Sequence, residues 1–119
     1  MIISEQGKEM LRVVYHALDE KQGEDIRILD IHGISILADY FVITHGNNQN
    51  HVQALAEHVI ESLAEAGYRL LRREGEATSS WILLDYGHIM IHVFGKEERN
   101  FYDLERIWSD GKEITASHF

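Results

Sequence analysis

Cysteine and proline are both missing from the 119 residues of this chain. Without cysteine there is no disulfide, no thiolate nucleophile and no zinc–cysteine site, which fits a cytosolic protein. Without proline nothing marks an interdomain linker, and neither a repeat nor a low-complexity segment appears. The longest purely apolar run falls far short of the ~18 residues that cross a bilayer. The N-terminus, MIISEQGKEMLR, has no basic region ahead of an apolar stretch, so no signal peptide is expected. Positive charge is scarce: 11 Lys and Arg stand against 20 Asp and Glu, for a formal charge of −9. That balance argues against nucleic acid as the main ligand, because phosphate binding rests on clustered Lys and Arg. It suits a basic protein partner, although solubility alone explains the same charge.

What is present reads as one soluble globular domain, 45% hydrophobic and 26% charged. Leu11, Val14, Tyr15 and Leu18 recur at helical spacing within about residues 5–22, and Gly23 follows as the expected C-cap. Asp25–Ile31 reads as a strand. Asp39–Thr44 reads as a buried strand ending at Gly46. Asn47, Asn48, Gln49 and Asn50 then offer N-caps to a helix reaching about Ala66. Its stripe is Val52, Leu55, Ala56, Val59 and Leu63, and Gly67 stops it. A third strand is expected over Tyr68–Arg73, and a last helix from Asn100 through Trp108, with Phe101, Leu104, Ile107 and Trp108 as its apolar stripe. The order α-β-β-α-β-β-β-α implies a layered α/β domain with a mixed five-stranded sheet and three helices. It is expected to fill residues 1–110, with a loose tail over 111–119.

The stretch WILLDYGHIMIHVFG, residues 81–95, reads as a hairpin. With Tyr86 and Gly87 as a two-residue loop, Asp85 opposes His88, Leu83 opposes Met90 and Trp81 opposes His92. One face then carries Ile82, Leu84, Ile89, Ile91 and Val93, which is plainly core. The other carries Trp81, Leu83, Asp85, His88, Met90, His92 and Phe94. Aromatic anchors among polar groups compose an interface. Equally, a helix covering that face would make Trp81 ordinary core.

Catalytic patterns are absent. The third strand, YRLLRRE, offers no Asp-x-Asp for metal-assisted nucleotidyl transfer. Ser79 and Ser80 lack a nucleophile elbow. His88 and His92 lie roughly 13 Å apart along a strand, and His51 and His58 about 10 Å apart along a helix, so neither pair shares a metal ion. The helix start after Gly46 carries free N–H groups but no P-loop or GxGxxG, and a plain Asn cap explains it better.

Five blocks stand in order: Asp39-Tyr-Phe-Val-Ile-Thr-His-Gly46, Glu74-Gly75, Trp81-Ile-Leu-Leu-Asp85 with Gly87, His92-Val-Phe94, and Arg99-Asn-Phe-Tyr-Asp-Leu-Glu-Arg-Ile-Trp108. Together they resemble the ribosomal silencing factor, or Iojap, family from about Glu5 to Asp110. Asn47-Asn48 departs from the family's usual Gly and small hydroxyl residues, and His88 replaces a second acidic residue at the turn. The resemblance implies a nucleotidyltransferase-like fold without its catalytic carboxylates, with no enzymatic activity, cofactor or metal. It implies binding to ribosomal protein L-fourteen on the large ribosomal subunit, which blocks the small subunit and represses translation. The expected partner-binding residues are Glu74, Trp81, Leu83, Asp85, His88, Met90 and His92. Nucleic acid is not expected as the main ligand, nor a membrane, and the chain is expected to be a monomer or weak homodimer. The lack of a transit peptide favours a bacterial cytoplasm. Two alternatives stand beside this: a nucleotide-binding or residual nucleotidyltransferase domain using Gly46–Asn50, and a homodimer using the hairpin face.

Overall fold

The computed structural model describes residues 5–36, 38–76, 78–107 and 111–115. Helix α1 (Glu5–Glu20) buries Met10, Leu11, Val14, Ala17 and Leu18, while Tyr15 is only partly covered. It ends in a Schellman turn, in which the Gly23 N–H donates to Leu18 O at 2.7 Å and the Gln22 N–H to Asp19 O at 2.9 Å. The left-handed residue is Gln22 (φ 60°), not the expected Gly23. Gly23 is needed for closeness instead: a Cβ there would stand 3.0 Å from Thr44 Oγ1.

Strands β1 (Glu24–Asp30) and β2 (Tyr40–Gly46) run antiparallel and lead into α2 (Gln49–Glu65). Asn48 caps α2, its side chain accepting from the His51 N–H at 2.9 Å. All five stripe residues of α2 are buried, and Gly67 (φ 94°) ends the helix as expected. The chain continues through β3 (Arg72–Glu74), β4 (Trp81–Asp85), β5 (Ile89–Gly95), α3 (Lys96–Tyr102), the single-turn α4 (Leu104–Ile107) and β6 (Lys112–Ile114).

The sheet is mixed and six-stranded, in the order β3-β4-β5-β2-β1-β6. Among the described strands, β2 and β5 are the pair that runs in parallel. The sixth strand corrects the expectation of five: it lies in the stretch read as a loose tail and pairs antiparallel with β1. Two charged residues ahead of its single buried Ile114 gave no alternation long enough to read. The last helix is also displaced. It begins at Lys96 directly after β5 and stops at Asp103, whose left-handed backbone (φ 48°, ψ 55°) breaks it before Leu104. Phe101, expected in an apolar stripe, is therefore 82% exposed, whereas Leu104 of that stripe is buried. Trp108, the other end of the expected helix, lies outside the described residues.

The hairpin register differs from expectation as well. Gly87 and His88 form the loop, closed by the Tyr86 N–H donating to Ile89 O at 2.9 Å. Gly87 holds φ 87° at the first loop position, as a type II′ turn demands. Asp85 consequently opposes Met90, Leu83 opposes His92 and Trp81 opposes Phe94. The physical reason is Tyr86. It shares the face of Ile82 and Leu84, and the later turn keeps it in the strand direction with its ring buried in the core. The shift is even, so apart from His88, which moves into the loop, each strand residue keeps its face. Ile82, Leu84, Ile89, Ile91 and Val93 pack with Ile28, Val42 and the helices α1 and α2. Leu29, Phe41, Ile43, Met90 and Phe94 form a second cluster on the opposite face, closed in part by Leu104.

Candidate functional site

On that second face the hairpin builds two levels. The lower level comes from β5: Met90, His92 and Phe94 are all buried. The upper level comes from β4, where Trp81, Leu83 and Asp85 are half-buried. The difference follows from position in the sheet. β5 lies between β4 and β2, whereas β4 is covered on its outer side by only the three-residue β3. Trp81 and Leu83 thus stand on an apolar floor and reach solvent.

Trp81 is held from several sides. Its Nε1–H donates to His92 Nδ1 at 3.2 Å, and its ring centroid lies 4.9 Å from Phe94 and 4.6 Å from Tyr102. His92 packs edge-on against Phe41 at 4.6 Å. Burial pushes the His92 imidazole down to about 3, so it is neutral at ordinary pH. With Nδ1 accepting from Trp81, the proton sits on Nε2. His92 cannot reach a partner itself; it orients the indole that can.

The acids around these rings are partly compensated. Asp85 accepts from the Gly87 N–H at 2.8 Å and lies 3.7 Å from Arg72. Glu74, opposite Leu83 across the β3–β4 pair, lies 3.4 Å from the same Arg72. His88 does not share this face. It occupies the turn, exposed, 3.1 Å from the Asp39 carboxylate. The structure therefore brings Glu74, Trp81, Leu83 and Asp85 together at the surface, places Met90 and His92 beneath them, and sets His88 at the hairpin tip.

Gly46, Asn47, Asn48, Gly95, Glu97 and Glu98 border a hollow of about 470 Å³ where the parallel strands β2 and β5 end. Its polar groups are largely engaged locally. Asn48 caps α2, and the Asn47 N–H donates to His51 Nδ1 at 2.9 Å. Gly46 is demanded by the chain itself, since a Cβ would stand 2.9 Å from Val52 N. Lys96 also lines the hollow, but the two carboxylates outnumber that single ammonium and oppose phosphate. Among the described residues no group of three or more His, Asp or Glu is arranged to hold a metal ion.

Two residues with roles in this region went unremarked in the sequence. Tyr102 packs beside Trp81. Arg99 is 5% exposed and fastens α3 to the start of the sheet. It donates to Glu105 at 2.8 Å, to Glu24 O at 3.1 Å and to His45 Nδ1 at 2.9 Å. Burial and then the Arg99 charge lower the His45 pKa, keeping that ring a neutral acceptor. Both residues sit in the block Arg99-Asn-Phe-Tyr-Asp, but only the wrong helix phase was legible there.

A family model described as ribosomal silencing factor during starvation matches residues 4–119. Ribosomal silencing factor RsfS of Bacillus subtilis is 43% identical over 103 residues, which cover 87% of each chain. A crystal structure of a protein from Chromobacterium violaceum superposes with a TM-score of 0.83 at 30% identity, covering 97% of this chain and 92% of the other. More distantly, a mouse protein called mitochondrial assembly of ribosomal large subunit protein 1 is 26% identical, over 77% of this chain and 42% of its own length.

Proposed function

The chain belongs to the ribosomal silencing factor family, and we propose that it represses translation by binding alone. In this reading the hairpin face attaches to ribosomal protein L-fourteen on the large ribosomal subunit. The bound domain then occupies space that the small subunit needs. The observation that carries the reading is Trp81 with Leu83, half-buried on a rigid apolar floor and bordered by Glu74 and Asp85. Large rings already oriented by packing and a hydrogen bond lose little freedom on docking. The name of the mouse relative, which refers to the large ribosomal subunit, supports the choice of subunit.

The charge supports it too. At −9 the chain is repelled by ribosomal RNA and drawn to a basic protein patch, which raises the association rate and sharpens specificity. A standard interface takes only about 800 Å² per partner, within reach of the hairpin face and its flanks. Steric exclusion requires no turnover, no cofactor and no metal, and its setting is the cytoplasm. Sedimentation with purified subunits tests the proposal. Comigration with large subunits only, together with loss of subunit joining, is the expected result. Comigration with neither subunit, or joining that proceeds despite a bound factor, overturns it.

A further inference from the structure

We infer that the end of α3, Phe101 with Tyr102, is a second anchor of the docking surface and takes an arginine of the same basic protein that Trp81 engages. This rests on the hairpin reading above and extends its surface beyond the hairpin. Phe101 is 82% exposed and Tyr102 42% exposed. A single exposed apolar residue is ordinary, but these two are joined to the hairpin face. The Phe101 ring meets Tyr102 nearly perpendicular at 5.2 Å, and Tyr102 lies 4.6 Å from Trp81. The aromatic run is therefore continuous from the buried floor to open solvent.

The platform beneath it is fixed. Arg99, one turn earlier on α3, is locked to Glu105, Glu24 O and His45. Asp103 then ends the helix in the left-handed conformation, its N–H donating to Arg99 O at 2.9 Å. Rings held this way bind without first being ordered. A hollow of about 380 Å³ opens beside them, lined by Asn100, Phe101, Tyr102, Asp103 and Arg106. Two aromatic rings, a carboxylate and an amide line it, with Arg106 at its border. A guanidinium stacks on aromatic faces while pairing with a carboxylate, which a lysine ammonium does less well. On a chain of charge −9 that occupant is a basic partner rather than an acidic one.

The test compares wild type, Phe101→Ala and Trp81→Ala in titrated sedimentation with purified large subunits, alongside melting temperature and sedimentation equilibrium of the free proteins. Phe101→Ala should bind about tenfold more weakly at an unchanged melting temperature, because its ring contributes little to the fold. Wild-type affinity in Phe101→Ala with weakened Trp81→Ala overturns the second anchor and leaves the hairpin reading standing. Wild-type affinity in both variants, or no binding by wild type, overturns both readings. A lowered melting temperature in Phe101→Ala shows the ring serving the fold, and loss of a self-associated species with subunit affinity intact assigns the rings to a second copy; either result overturns the proposal.

Discussion

Replacing Trp81 with alanine should damage folding and docking by comparable amounts, because half of its ring serves each. A fully enclosed tryptophan buries roughly 150–250 Å², so half-buried Trp81 hides about 100 Å² in the free protein by the same scale. At about 25 cal/mol per Å² that amounts to ~2.5 kcal/mol of folding stability. His92 Nδ1 also loses its donor, which costs about 1–3 kcal/mol if the site stays dry. Water entering the vacated space offsets most of that second cost, so the expected total is about 2–3 kcal/mol, short of the ~3–5 kcal/mol seen for a core Trp. For a domain of this size the melting temperature should fall by roughly 10 °C.

The outer half of the ring is what a partner would cover. Its loss should weaken binding to large subunits by about 2 kcal/mol, or roughly 30-fold in Kd. Chemical denaturation and titrated sedimentation of one purified variant give both numbers. Trp81→Phe separates the components, since it keeps most apolar contact and removes only the N–H donated to His92. A Trp81→Ala protein that is badly destabilised yet binds large subunits normally would refute the docking role. One that is fully stable would refute the packing described here.

His92, pushed down to about 3 from an ordinary 6.5 by burial, binds its proton more readily in the unfolded chain. Its contribution to stability is thus complete above about pH 6.5 and declines as pH falls toward 3. An NMR titration should show its ring signals flat above pH 5 on the scale of that shift, and a midpoint near 6.5 would contradict the burial. Gly75→Ala should cost at least about 1–3 kcal/mol in denaturant, because φ is 99° there and a Cβ would lie 2.6 Å from Trp81 O. Arg99→Met should cost about 2–3 kcal/mol, below the figure for a fully buried pair because Glu105 keeps some water; hydrogen exchange should locate the loosening in α3. Raising salt should weaken large-subunit binding moderately, as screening over about 8 Å predicts, and with a shallower slope than an RNA binder shows.

Much of this fold was legible because its central elements are long and strongly patterned. The α2 stripe, with Asn48 before it and Gly67 after it, carries helix period, cap and stop signal in one segment. The continuous apolar run of β2 announced a strand buried on both faces, and it lies third from one edge of six. What escaped was short or set by tertiary contact. The three residues of β6 form a strand only because β1 is there to pair with them. Helix α3 follows β5 without a loop, and no sequence signal distinguishes Lys96 from Asn100 as its start. Arg99 looks like a surface cation until Glu24 and His45 are brought to it from distant segments, and Glu105 from the following turn.

The hairpin shows why the candidate face survived an error in its details. Moving the loop from Tyr86–Gly87 to Gly87–His88 takes His88 off the face and changes every cross-strand partner, but leaves each remaining strand side chain on its original face, since the period of a strand is two. The division into core and mixed faces therefore depended on parity alone. Depth is a different quantity, and parity says nothing of it. Met90 and His92 share a face with Trp81 and Leu83, yet they are buried because β5 is an inner strand, while β4 lies next to the short edge strand β3. A list of face residues thus mixes two roles. Those on β4 can touch a partner directly, whereas those on β5 hold them in place, so substitutions on β5 should act on binding through stability and through the orientation of Trp81. His92→Phe separates these roles: it fills the same space but offers Trp81 no acceptor. If the indole is held for docking by that hydrogen bond, the variant should lose affinity for large subunits by more than its melting temperature explains.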